Sequence, residues 1–139
     1  MSANLDLVRS ICAPWWRGDF SSTAWAHPEI EYVIVGGPSP GSWTGVAGLE
    51  EGSRNFLSAW AVWHGKLADV RELDEERVLV LEIFEGVGKI SGIDVGQMGA
   101  EGAHVFHIRD DKVIRLVTYW DRELALADLA DLGLTPEAS

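Results

Sequence analysis

Two histidines, His104 and His107, lie three residues apart in the stretch AHVFHIRDDKVIRLVTYWD, Ala103–Asp121. An imidazole changes charge near neutral pH, so it can give or take a proton in catalysis, or orient a polar ligand. The stretch reads as two strands joined by a tight turn. Side chains alternate along a strand, so His104 shares a face with Phe106 and Ile108, and His107 points the opposite way. The two histidines therefore cannot chelate one ion. No HExxH, CxxC or calcium-loop spacing occurs elsewhere, and no metal is expected.

The neighbours of His104 on the second strand depend on the loop. A two-residue loop, Asp110-Asp111, would set it beside Val113, Arg115, Val117 and Tyr119. A three-residue loop, Arg109-Asp110-Asp111, sets it on the face of Ile114, Leu116, Thr118 and Trp120, directly opposite Leu116. The second choice unites two apolar sets and is the expected one. It places a histidine in an apolar cavity, with Phe106, Leu116, Thr118 and Trp120 as candidate ligand contacts. His104 is then a candidate catalytic acid or base, or a hydrogen-bond donor to a ligand carbonyl. The plainer reading is a half-buried structural histidine. An inward carboxylate within hydrogen-bond reach of His104 would favour an enzyme; a histidine alone would favour a binding module.

Other candidates are weaker. One of Glu31 and Tyr32 must face inward on the first strand, and either parity fits. Glu85 and Asp94 are rim carboxylates that read equally as solvated strand charges. Asp121 sits where a strand gives way to a helix and reads as an N-cap. Tyr119, of opposite parity to Thr118, reads as structural or as part of an interface. Cys12 on a helix face reads as packing. Gly86-x-Gly88 followed by Gly92 fails the dinucleotide spacing, GGPSPGSWTG lacks the Lys-Ser/Thr of a phosphate loop, and no GxSxG elbow occurs. No cofactor is expected.

The elements that must position these residues follow from periodicity. Leu5–Trp16 reads as a helix with Leu5, Val8, Cys12 and Trp15 on one face, kinked or ended by Pro14. Phe20–His27 reads as a second short helix closed by Pro28. Glu29–Val35 is a strand, and GGPSPGSWTG is a loop. Thr44 can cap a helix whose face carries Leu49, Ser53, Phe56, Trp60 and Trp63. The chain then turns to strands: Lys66–Leu73, a turn at Asp74-Glu75-Glu76, Arg77–Glu85, a break at Gly86–Gly88, and Lys89–Val95. The hairpin follows, then a helix over Arg122–Leu132 stopped by Gly133. This order is that of an α+β protein with helices on one face of a curved antiparallel sheet. In Arg77–Glu85 both alternating sets are largely apolar, Val78, Val80 and Phe84 against Leu79, Leu81 and Ile83. That pattern predicts a homodimer through the outer face.

A chain of 139 residues is expected to be one domain, 1–139. Its net charge of −11 argues against nucleic acid and against anionic membranes as partners. No apolar run reaches spanning length, and no signal-peptide layout opens the chain, so a soluble cytoplasmic protein is expected. Seven tryptophans are the oddity of its composition. Trp25, Trp43, Trp60 and Trp63, with Tyr32, can wall a pocket for a small hydrophobic ligand.

The order of short motifs resembles a known family. Arg17-Gly18-Asp19-Phe20 follows the first helix, and His27-Pro28-Glu29-Ile30-Glu31 opens the first strand. Trp43-Thr44-Gly45 precedes the next helix. Ser91-Gly92-Ile93-Asp94-Val95, His104-Val105-Phe106 and Arg109-Asp110-Asp111-Lys112-Val113 come later. Tyr119-Trp120-Asp121-Arg122 and Leu132-Gly133-Leu134 complete the set. Together they are similar to the SnoaL-like family of the nuclear transport factor two-like (ketosteroid isomerase-like) superfamily. The resemblance implies a cone-shaped α+β barrel of cystatin-like form, a curved antiparallel sheet wrapped by N-terminal helices. It also implies a deep pocket and, often, a dimer. It implies an isomerase, cyclase, dehydratase or epoxide hydrolase, or a non-catalytic module of the same fold. The isomerase tyrosine and general-base aspartate fall near Ile11 and Gly36, so those roles do not transfer. The second acid of that family falls near His104, and the hydrolase aspartate of the last strand near Thr118.

Overall fold

A computed structural model describes residues 3–16, 22–36, 40–58, 60–88 and 101–133, with side chains described outside 16, 55–58, 60–67 and 84–88. The elements run α1 (Ala3–Trp16), β1 (Ala26–Val35), β2 (Gly41–Thr44), α2 (Gly45–Ser58) and β3 (Trp60–Glu72). Then follow β4 (Arg77–Gly88), β5 (Glu101–Arg109), β6 (Lys112–Tyr119) and α3 (Arg122–Asp131). The strands form one curved, unclosed sheet in the order β2-β1-β6-β5-β4-β3. Every pairing is antiparallel except β1 with β6, which is parallel. The α+β cone expected from the sequence is present.

Strand alternation divides the core in two. On the concave face Val78, Val80, Phe106, Ile108, Val113 and Leu116 pack with Val8, Ile11 and Cys12 of α1, Leu49 of α2, and Ile30, Tyr32 and Ile34 of β1. On the convex face Leu79, Leu81, Ala103, Val105, Val117 and Tyr119 pack with Ala125 and Leu129 of α3. The helices thus cover both faces, not one. Of the second apolar set of β4, Leu79 and Leu81 are buried within the chain and Ile83 is half-buried. Asp121 is the N-cap of α3: its Oδ1 accepts from the Glu123 N–H at 2.9 Å, and Gly133 closes the helix with φ 75°. The Tyr119 hydroxyl donates to Asp128 Oδ2 at 2.8 Å, tying α3 to the sheet.

Several local expectations are corrected. No helix runs through 22–27: a turn at Ala24-Trp25 leads into β1 at Ala26, and Pro28 lies inside that strand. The β1–β6 register is irregular between Ala26 and Glu31, and such a break tolerates a residue without an N–H. Gly41–Thr44 is a strand paired with β1, not a loop. Helix α2 ends at Ser58, so Trp60 and Trp63 belong to β3; register shifts in that strand give its apolar residues an irregular spacing that mimics a helix. Gly86–Gly88 continues β4, paired with β3, where a break was expected. Pro14 sits in the last turn of α1, which ends two residues later.

The hairpin teaches most. Its loop is the two-residue one: Asp110 and Asp111 have φ 52° and 62°, and Arg109 pairs with Lys112. Both central residues are left-handed, as the type I′ turn requires, and Asp tolerates that region. A bulge between His107 and Ile108, with Ile114 as the extra residue, then flips the parity of β6. His104 therefore does share the face of Leu116 and Thr118, but it stands opposite Thr118, with Phe106 opposite Leu116.

Candidate functional site

His104 and Glu82 are the two buried charged or polar residues among those described, in a core otherwise apolar. Strand register brings them together. Val80 lies opposite His104 and Glu82 opposite Gly102, so Glu82 is the diagonal neighbour of His104 on the same face. Gly102 has no side chain, which leaves room for the Glu82 carboxylate to lean towards the imidazole. Glu82 Oε1 lies 2.8 Å from His104 Nε2, and Thr118 Oγ1 lies 2.9 Å from His104 Nδ1. With Glu82 ionised, its oxygen only accepts, so Nε2–H donates to it. In the neutral ring Nδ1 is then the acceptor, and the Thr118 hydroxyl donates.

The chain of polar groups extends to β1 and α2. Thr118 is paired with Ile34, so Tyr32 is its diagonal neighbour across the parallel pair. Burial pushes the Tyr32 hydroxyl up to about 12; hydrogen bonds with Thr118 and Ser53 oppose that rise, and the charge of Glu82 adds to it. Helix α2 can bring Ser53 this close because its neighbour is Gly52. A Cβ there would sit 2.8 Å from the Trp43 ring and 3.0 Å from Tyr32. Helix α1 covers the other side. The Trp15 ring meets His104 edge-on at 5.4 Å and stacks on Phe106 at 5.9 Å. Cys12 is buried beside them, and burial first, then the charge of Glu82, pushes its thiol well above the ordinary range. The thiol stays protonated, as expected of a packing cysteine.

Of the residues expected to form a site, His104, Tyr32, Thr118, Phe106 and Leu116 are gathered on the concave face. Trp25 packs edge-on against Trp15 at 5.9 Å, and its Nε1–H donates to the Ser22 carbonyl. Trp43 backs the Tyr32 ring at 5.8 Å. Trp120 lies past the end of β6, with its Cβ against Gly36 and its N–H bonded to the Val35 carbonyl. The side chains of Trp60, Trp63 and Glu85, and Asp94 altogether, lie outside the described residues. The question left open between Glu31 and Tyr32 is answered: Tyr32 is inward, and Glu31 is exposed beside Arg115. His107 bonds Glu76 at 2.8 Å on the far side. Among the described residues no group of three His, Cys, Asp or Glu is placed to hold a metal ion.

Glu82, Ser53 and Trp15 were not singled out in the sequence as site residues. The signal for Glu82 was there: it is the charged member of the set Val78, Val80, Phe84.

No family model matches this chain, and no curated protein matches it. Solved structures do. TerC, co-crystallised with polyporic acid, is 20% identical with a TM-score of 0.69, over 94% of this chain and 99% of that one. A nuclear transport factor two-like protein of unknown function from Burkholderia pseudomallei is 17% identical with a TM-score of 0.73, over 91% and 97%. A hypothetical protein with a ketosteroid isomerase-like fold from Catenulispora acidiphila, in complex with trimethylamine, is 13% identical with a TM-score of 0.66, over 100% and 99%. The chain therefore has the nuclear transport factor two-like fold, and its resemblance to the SnoaL-like family is consistent with these neighbours.

Proposed function

We propose that this chain is a small-molecule pocket protein that catalyses cofactor-independent proton transfer on a small hydrophobic or aromatic substrate, with Glu82 and His104 as its acid–base pair. The observation that carries the reading is the 2.8 Å contact of His104 Nε2 with Glu82 Oε1 inside an apolar core. A buried carboxylate–imidazole pair is an arrangement that catalysis uses and that packing alone does not need. One carboxylate oxygen is held by His104; the other is the atom to take a proton from carbon α to a substrate carbonyl. The electron pair moves to the carbonyl oxygen, and the proton, shared with the imidazole, returns at another carbon. Trp15, Trp25 and Phe106 pack ring against ring beside the pair, surroundings that suit a ring-bearing ligand. That proteins of this fold were crystallised with polyporic acid and with trimethylamine supports a small ligand here.

One observation favours a second reading, a binding module without chemistry: both ring nitrogens of His104 are already engaged by the chain's own side chains. Exchange of the α-protons of β-tetralone in deuterated buffer separates the two. The enzyme reading expects acceleration by the wild-type protein and a loss of at least about 100-fold in Glu82→Gln. Exchange no faster than in buffer would leave the module.

A further inference from the structure

We infer that Trp15 is the gating and specificity-determining residue of the Glu82–His104 pair: its indole must swing aside for a ligand to reach the imidazole, and the ligand ring takes its place. The inference rests on the reading above, in which that pair acts on a ring-bearing substrate. His104 and Glu82 are 7% and 8% exposed, so the closed chain holds them away from a ligand, and something must move. Of the side chains in contact with the imidazole, Glu82 and Phe106 are buried, and Thr118 and Trp15 are half-buried. Thr118 cannot leave, because β6 is paired on both edges, with β1 and with β5. Trp15 is placed differently. It lies in the last turn of α1, which ends at Trp16. The last carbonyls of a helix have no partner within it, and the final turn opens at little cost. Pro14 loosens that turn further, since it has no N–H for the Ser10 carbonyl.

The neighbours of the indole define what can replace it. Its ring stacks on Phe106 at 5.9 Å with 26° between the planes, and meets His104 and Trp25 edge-on at 5.4 Å and 5.9 Å. Those are the stacked and edge-to-face arrangements that flat π-systems favour. An indole that swings out leaves the rings of Phe106, Trp25 and His104 without that neighbour. A flat aromatic ring restores the three contacts; a saturated ring, which is thicker and has no π-face, does not. Selection of the substrate thus follows from the shape of the residue displaced, and the entering ring arrives against His104, beside the carboxylate that shares its proton.

The test uses the full chain and follows modification of each of its 4 histidines by diethyl pyrocarbonate, located by peptide mass spectrometry. His107, bonded to Glu76 on the far side, is the internal reference: unfolding exposes both rings, whereas a moving indole exposes His104 alone. Trp15→Ala removes three ring contacts and should raise the rate at His104 relative to His107 by about tenfold or more. Trp15→Phe should raise that ratio by less. Pro14→Ala, which returns the missing N–H, should lower it below the wild-type value. Indole added to Trp15→Ala should slow modification of His104 again, and cyclohexanol at the same concentration should not. A wild-type ratio in Trp15→Ala would overturn the inference; should that variant fold poorly, a wild-type ratio in Trp15→Phe does the same. So does a ratio in Pro14→Ala at or above that of the wild type, or equal protection by indole and cyclohexanol. This readout needs no turnover, so it stands or falls apart from the tetralone exchange.

Discussion

The two faces of β4, β5 and β6 are built from alternate residues of the same strands, yet they solve opposite problems. The convex face carries Leu79, Leu81, Val105 and Val117, and α3 lies over it. Its polar link, Tyr119 to Asp128, runs to an exposed helix residue at the rim. The concave face carries Val80, Phe106 and Leu116 from the same strands, but at the next inward positions it places Glu82, His104 and Thr118. Burying a charged group is unfavourable unless it is paired and hydrogen-bonded. A face that only had to seal a core would use what the other face uses. The difference marks the concave chain as the part of the molecule that stability alone does not explain.

The sharpest way to break that comparison is to remove one member of the concave pair. His104→Leu leaves the Glu82 carboxylate buried without its partner and should lower stability by about 3–5 kcal/mol, read by urea denaturation. The double variant Glu82→Leu with His104→Leu should recover much of that loss, because no unpaired charge remains. A single-variant loss below about 1 kcal/mol would mean that the pair is not desolvated and that the two faces differ less than argued.

The second prediction strikes the convex face. Leu129→Ala opens a cavity beneath α3 and should destabilise by about 2–5 kcal/mol. Tetralone exchange by the folded fraction should remain at the wild-type rate, because Leu129 packs on the opposite side of the sheet from Glu82. A proportionate loss of exchange would show that the faces are coupled.

The fold was legible in the sequence because it depends on coarse features: the order of helices and strands, the doubly apolar β4, the Asp121 cap and the Gly133 stop. The face of His104 was legible too, though by a compensation. The loop is one residue shorter than expected, and the bulge at Ile114 restores the parity. What could not be read was which residues touch. Contacts between strands depend on register, and a single bulge shifts register by one without any strong sequence mark. Glu82 illustrates this. Its parity put it inside with Val78 and Val80, but only the pairing of Val80 with His104 brings it to the imidazole. Ser53 needed the further fact that Gly52 lets α2 close on β1. Trp60 and Trp63 were misread for the converse reason, since an irregular strand imitated helical spacing.

The smallest expected effect comes from the tyrosines, of which the chain has 2, one on each face. Burial raises both, and on Tyr119 the hydrogen bond to Asp128 and the charge of Asp128 raise it further. A raised tyrosine favours the neutral form in the folded state. Its contribution to stability is therefore complete below the unfolded value of about 10 and is lost as pH climbs towards the folded value. Stability measured by denaturant should thus fall as pH is raised above about 10. Tyr119→Phe should remove part of that slope. At neutral pH it should lower stability by only about 0.5–1 kcal/mol, because the Asp128 carboxylate left behind can be solvated. The same change at Tyr32, whose ring is buried, takes a partner from the half-buried Thr118 and Ser53 and should cost more. If the two Tyr→Phe variants lose equal stability at neutral pH, the concave hydroxyl is no more enclosed than the convex one. The contrast between the faces would then rest on Glu82 and His104 alone.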